Sequence, residues 1–331
     1  MSKKLRANMI LFLAALIWGA SFVAQKAGMD YIGPFTFNGI RFLIGALVLI
    51  PVILIMDRIQ KRKAVIPSPD ETTAESKNKG TNKTLIIGGL SCGLVLFLAG
   101  SLQQIGMLYT TAGKAGFITA LYIVLVAILG LFIGRKIRLI LWLCVGLATI
   151  GLYLLCVKED LSISKGDLLV IACAFGFAMH ILVIDHFSPK ADGIKLSFLQ
   201  FLVAGLLSTP FMAIFETVNW SSVIACWQPI LYSGVMSCSI AYTLQIIAQK
   251  DTEPTVASLI LSLESVFAVI AGILLLNEQI SSREILGCAV MFSAILLAQL
   301  PKNFISTYLS NLLARDTHVS REAYIEESAG D

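Results

Sequence analysis

The chain has 331 residues, 57% of them hydrophobic and 14% charged, with a net charge of +4 and a mean hydropathy of +0.83. Soluble domains carry nearer a quarter charged residues, so this composition excludes a water-surrounded globular enzyme and leaves no room for a separate catalytic domain. The small positive excess is no nucleic-acid signature; only its distribution along the chain is informative.

Apolar stretches of about 18 or more residues with few charges can cross a bilayer as helices. Ten are read in chain order, at roughly 8–27, 34–56, 85–109, 112–134, 139–157, 167–186, 195–215, 228–249, 255–276 and 283–300. The basic start MSKKLR precedes the first. Its apolar run exceeds a signal-peptide core, and Trp18, Gln25 and Lys26 replace a small-residue cleavage site, so it reads as a permanent helix. The connection 57–84 is charged and poor in aromatics and reads as a flexible loop. Residues 301–331 read as a polar tail. The seven cysteines lie in or beside apolar segments without metal-like pair spacing, so they read as small buried hydrophobes. Neither a metal nor a cofactor is expected.

Lysine and arginine are unevenly shared among the connections. Lys3, Lys4, Arg6, the seven in 57–84, and Arg135, Lys136 and Arg138 fall on one side, with most of the later ones. The other side keeps Lys26, Lys114, Lys158, Lys165 and Arg283. The positive-inside rule then places both termini in the cytoplasm and the protein in the cytoplasmic membrane.

The two halves align. An offset of 159 pairs Phe42, Leu43, Leu47 and Pro51 with Phe201, Leu202, Leu206 and Pro210, Trp18 with Phe177, and Arg41 with Gln200. Beyond the long loop the offset becomes 142, pairing Gln103 with Gln245 and Tyr122 with Glu264. Five helices per half is an odd number, so the halves insert in opposite senses. The expected fold is therefore an all-α integral membrane protein of ten transmembrane helices, built as two inverted five-helix repeats. Its divisions are 1–157, 158–300 and the tail 301–331. Inverted repeats with a site between them are the mark of secondary transporters.

The pattern LIWGASFVAQKAG, then RFLIGALVL, then SLESVFAVIAGILLLNEQIS resembles EamA-type members of the drug/metabolite transporter superfamily. The resemblance covers residues 8 to 300. It implies a ten-helix carrier whose cavity is lined mainly by its helices one, three, four, six, eight and nine, and which moves amino acids or other small metabolites. One departure is Ser265 after Glu264, where many relatives have proline, so the residue that would kink that helix is absent.

Ionisable groups inside a membrane cost about 2.5–3.5 kcal/mol on insertion scales and usually face a cavity or a partner. Glu264 and His180 are the candidates for proton coupling, each with a structural reading beside it as a hydrogen-bonded packing residue. Arg41 could bind a solute carboxylate, pair with Glu264 or snorkel to the interface. Gln103, Gln104, Gln200 and Gln245 serve either a cavity or interhelical hydrogen bonding, and Trp18 and Tyr122 are candidate walls for an organic solute. Lys114 lies where a helix start disfavours a cation, so it reads as a docking charge or as an interfacial lysine reaching water. Ala112, Gly116 and Ala120, mirrored by Pro254, Ser258 and Ser262, predict a close helix crossing. The expected function is a secondary active permease that exports a small, carboxylate-bearing metabolite such as an amino acid. The alternatives are an uncoupled exchanger or a drug or nucleotide-sugar carrier. A lipid enzyme would need acidic or histidine clusters that this sequence lacks. The expected partners are the solute, protons and membrane lipids but no nucleic acid, with the chain acting as a monomer or a homodimer.

Overall fold

The computed structural model describes residues 2–63, 71–110, 112–156, 164–276 and 281–298. All regular structure among them is helical. Eight segments are long and apolar enough to cross a membrane: Lys3–Gly28, Pro34–Ile59, Asn82–Tyr109, Ala115–Phe132, Lys165–Phe187, Gly193–Phe215, Trp227–Ala248 and Pro254–Ala271. Two shorter apolar helices, Leu139–Leu154 and Ile285–Ala298, accompany them.

In chain order the helices are α1 (Lys3–Gly28), α2 (Pro34–Lys63), α3 (Glu71–Tyr109), α4 (Ala112–Ala120), α5 (Tyr122–Phe132), α6 (Leu139–Cys156), α7 (Lys165–Phe187) and α8 (Gly193–Phe215). The short α9 (Trp220–Ala225) and α10 (Trp227–Leu231) lead into a π-helical segment, Tyr232–Tyr242. Then follow α11 (Thr243–Ala248), α12 (Pro254–Leu261), α13 (Glu264–Leu276) and α14 (Ser282–Ala298). Helix reaches further into the connection 57–84 than its polar composition suggests, because α2 runs to Lys63 and α3 starts at Glu71. Extending an existing helix is far easier than nucleating one. Residues 64–70 and the tail 301–331 lie outside the described residues.

Helix starts are fixed by side chains that satisfy free backbone amides. Ser164 and Asp167 form a reciprocal capping box at α7, and Asp192 accepts from Ile194 N and Lys195 N at α8. Glu216, at the end of α8, caps the start of α2 by accepting from Phe35 N (2.8 Å), Thr36 N (2.7 Å) and the Thr36 hydroxyl (2.6 Å).

Contacts between helix ends sort them onto two faces. On the amino-terminal face, Lys195 pairs with Asp57 at 2.8 Å, Arg135 with Asp185, and Lys250 Nζ donates to Ala191 O at 3.2 Å. On the opposite face, Lys26 Nζ donates to Met107 O (2.6 Å) and Thr110 O (3.2 Å), and Thr110 donates to Asp167.

Packing is apolar outside and partly polar inside, the reverse of a water-soluble domain. Large residues such as Leu47 (62% exposed) and Ile214 (73%) face outwards, as bilayer contact requires, whereas Arg41, Gln104, Gln200, Gln245 and Glu264 are buried. The helices approach closely at small residues. A Cβ at Gly19 on α1 would stand 2.3 Å from Phe267 Cβ and 2.7–2.8 Å from the α13 backbone.

One expectation is corrected. The helix carrying Glu264 breaks without a proline: Leu263 N bonds to Ile260 O and Ser265 N to Ser262 O, both over three residues, while the Ser262 hydroxyl turns back to Leu259 O at 2.8 Å. The three-residue bonds tighten the turn and end α12. A matching pair, Leu121 N to Ile118 O and Val124 N to Leu121 O, separates α4 from α5. The expected crossing is present, with α4 packed against α13 and α5 against α12 and Ser265 Oγ donating to Gly116 O at 3.3 Å, but it is loose at the stripe's centre: a Cβ at Gly116 would meet nothing within 4 Å.

These two glycines give opposite expectations. Gly19→Ala overpacks the α1–α13 contact and should cost about 1–3 kcal/mol. Gly116→Ala should be neutral or stabilise by up to about 1 kcal/mol through helix propensity. Thermal unfolding of the purified protein in detergent measures both.

Candidate functional site

Three interruptions of regular α-helix surround one cavity. Tyr122 is the first residue of α5 and Glu264 the first of α13, each directly after a break; Ser237 and Tyr242 belong to the π-helical segment. The cavity is lined by these four together with Trp18, Phe22 and Gln25 of α1, Arg41 of α2, Gln103 of α3, Thr119 of α4, Phe177, His180 and Ile181 of α7, Gln245 of α11 and Leu261 of α12. The lining surrounds about 500 Å³ of space between atoms, part of it open to solvent.

Polar contacts tie the wall together. The Tyr122 hydroxyl donates to Glu264 Oε1 at 3.2 Å, and Gln103 Nε2 donates to Thr119 Oγ1 at 3.1 Å. Trp18 Nε1 donates to Ser237 O at 3.4 Å, and its ring meets that of Tyr242 edge-on, centroids 4.6 Å apart. His180 Nε2 and Gln200 Oε1 are 3.0 Å apart.

Arg41 is 4% exposed. Its Nη1 donates to Gln25 Oε1 at 2.5 Å, and its guanidinium lies 4.9 Å from the ring centre of Phe42 and 5.6 Å from that of Phe37. Gln25 Nε2 in turn donates to the Ser21 hydroxyl at 3.2 Å. No carboxylate pairs with Arg41 among the described residues, and its Nε lacks any hydrogen-bond partner. Gln245 Oε1, in the same lining, is likewise unpartnered. Each unmade buried bond costs about 1–3 kcal/mol, which makes these atoms receptive to a ligand.

Of the residues singled out in the sequence, the cavity gathers Trp18, Arg41, Gln103, Tyr122, His180, Gln245 and Glu264. Gln200 stands behind His180, and Gln104 turns to α1, donating to Gln25 O at 3.1 Å. The backbone of Lys114 belongs to the first turn of α4, but its side chain lies outside the described residues. Sequence reasoning missed Phe22, Gln25, Thr119, Ser237 and Tyr242. For Phe22 and Gln25 a signal existed, since they follow Trp18 at the i+4 and i+7 spacing of one helix face. Tyr242 had none: the 142 offset pairs it with Gly100.

A helical bundle with a lipid-facing apolar exterior around a polar cavity defines a multi-pass membrane protein. The sequence profile of the EamA-like transporter family matches residues 5–157 and again 164–300, and the chain belongs to that family. An uncharacterized transporter of Archaeoglobus fulgidus is 31% identical over 307 residues, 90% of this chain and 87% of its own. The uncharacterized transporter YoaV of Bacillus subtilis is 26% identical over 85% of this chain and 92% of its own. A WAT1-related chloroplastic protein of Arabidopsis thaliana is 24% identical over 88% of this chain and 69% of its own. A solved crystal structure superposes with a TM-score of 0.70 at 18% identity, covering 89% of this chain and 96% of that one. The chain is thus a membrane transporter for a small-molecule solute rather than an enzyme.

Among the described residues, Gln25 is the one hydrogen-bonding partner of Arg41. Gln25→Ala strips a charged donor of its acceptor and should lower stability by about 1.5–3 kcal/mol, read as an earlier thermal transition in detergent.

Proposed function

We propose that the chain is a secondary active transporter of the cytoplasmic membrane, exporting a small carboxylate-bearing metabolite such as an amino acid by alternating access. The observation that carries this reading is Arg41: a buried guanidinium lines the cavity with no carboxylate partner among the described residues. A solute carboxylate suits its fork, and Glu264 in the same lining suits a solute ammonium or a coupled proton. Alternating access requires the cavity walls to part, and the breaks beside Tyr122 and Glu264 are natural points of movement.

Ten membrane-spanning units as two inverted repeats are the framework for that movement. Supporting this, the family profile matches two successive stretches, and residues related by the sequence offsets meet in space. Tyr122 bonds to Glu264, while Trp18 and Phe177, and Gln103 and Gln245, share the cavity wall. The latches between α2 and α8 are reciprocal too: Asp57 holds Lys195 on one face and Glu216 holds Thr36 on the other, positions again related by 159. With both termini in the cytoplasm, the Lys26 face is the outer one. Glu264 and His180 serve proton coupling, and Lys114 serves as an outer docking charge.

Counterflow in proteoliposomes tests the reading. Carboxylate-bearing solutes should exchange saturably, and Arg41→Ala should reduce that exchange at least about tenfold, the equivalent of one charged hydrogen bond. Exchange of cationic drugs alone would overturn it. Glu264→Gln and His180→Ala should keep counterflow but abolish accumulation driven by a pH gradient. Wild-type protein indifferent to that gradient is an uncoupled exchanger.

A further inference from the structure

Among the described residues, nine of the fourteen buried polar side-chain atoms without a protein partner fall into two related sets behind the cavity wall. On α2 these are both amide atoms of Asn38 and the Nε of Arg41, three residues apart and so on one helix face. On α3, which packs against α2, they are the Ser101 hydroxyl and Gln104 Oε1, again three apart. The Cβ position of Gly100 on α3 lies 3.7 Å from Arg41 Nη2, and Gln25 bonds to both Arg41 and Gln104. The set is therefore continuous with the cavity.

The second set lies on α8 and α11. Ser197 Oγ and Gln200 Nε2 share a face of α8, with Thr243 Oγ1 on α11 and Gln249 Oε1 just beyond its end. His180 joins Gln200 to the cavity, and Gln249 Nε2 donates to the carbonyl of the next residue, Ile181, at 3.1 Å. The sequence offsets relate the sets: Asn38 to Ser197, Arg41 to Gln200, Ser101 to Thr243.

The sets run in opposite directions. From Arg41, Asn38 lies one turn nearer the start of α2 and Gln104 lies near the end of α3, both towards the Lys26 face. From Gln200, Ser197 lies one turn nearer the start of α8 and Gln249 past the end of α11, both towards the amino-terminal face. Each set mixes donors (Arg41 Nε, Asn38 Nδ2, Gln200 Nε2) with acceptors (Asn38 Oδ1, Gln104 Oε1, Gln249 Oε1). An anion would satisfy only the donors and a cation only the acceptors, whereas water serves both. Buried polar atoms in native proteins are almost always satisfied by protein or ordered water.

We propose that each set binds a file of water, forming two polar half-channels that join the central cavity to opposite faces of the membrane. Water reaches Arg41 from the Lys26 face and His180 from the amino-terminal face, while the Arg41 guanidinium between them repels protons, so a pH gradient is not short-circuited. This deepens the transporter reading and rests on its bilayer-spanning arrangement.

The test is side-specific labelling in proteoliposomes. In a background with the seven native cysteines replaced, single Asn38→Cys, Ser101→Cys, Ser197→Cys and Thr243→Cys variants meet silver ion, which is close to water in size, added to one side, and the thiols left unreacted are counted with a maleimide after unfolding. Positions 38 and 101 should react from one side and 197 and 243 from the other, at least about tenfold faster than lipid-facing Leu94→Cys and Leu206→Cys, because only a hydrated thiolate reacts. Labelling no faster than these controls, or all four reacting from one side, overturns the proposal. Should the cysteine-free background not fold, hydroxyl-radical footprinting of the wild-type protein decides. Oxidation of Phe42 and His180 with protection of buried Met291 supports water files, and the reverse pattern overturns them. Neither readout requires solute movement, so loss of counterflow with labelling intact would reject the transport reading and leave the half-channels standing.

Discussion

One buried charge organises the centre of this protein. The Arg41 guanidinium sits inside an apolar bundle, where an arginine costs about 2.5–3.5 kcal/mol even on lenient insertion scales. What compensates it is modest: one amide oxygen of Gln25 and the faces of Phe37 and Phe42. Its neighbours are constrained in turn. A Cβ at position 100 would press to 3.2 Å from the Phe42 ring and 3.7 Å from Nη2, so α3 passes this point as glycine. Gln25 must face α2 and α3 together, which fixes the rotation of α1 and with it the placement of Trp18 and Phe22 in the cavity wall.

The second constraint is backbone continuity. An unbroken helix would carry Tyr122 and Glu264 past the cavity as ordinary wall positions. Instead both helices stop and restart there through three-residue hydrogen bonds, so each side chain stands at the first position after a break. In lipid such interruptions survive only where protein or water satisfies the freed groups. Serine hydroxyls do part of this locally: Ser258 and Ser262 bond back to their own helix, and Ser265 reaches Gly116 O on α4 at 3.3 Å. The break needs no proline because these hydroxyls compete for the same carbonyls.

Much of this was legible beforehand. The apolar segments, their order and the EamA character of the chain follow from composition and local pattern, which bilayer thickness constrains tightly. Seven cavity residues were marked by being ionisable, amide-bearing or aromatic at membrane depth. Gln104 and Gln200 carried the same mark yet stand behind the wall, because amide chemistry alone does not say which way a helix is turned. Tyr242 and Ser237 were invisible: they enter the site through a π-helical segment whose residues carry no distinctive period. The Gly116 stripe located the packing of α4 on α13 but not its looseness, since small-residue spacing predicts close contact only along a helix that stays straight.

The sequence by itself determined the solvent this protein lives in, the positions of its apolar spans and the family it belongs to, because hydropathy and length are read residue by residue. It also marked Tyr122 and Glu264 as equivalent. Only the tertiary structure decided that they touch, that Arg41 takes Gln25 rather than a carboxylate as its partner, and that Ser237 and Tyr242 join the cavity wall. Those outcomes depend on helix rotation and on where a helix breaks. Both are set by packing between segments far apart in the chain, and no local pattern of residues encodes them.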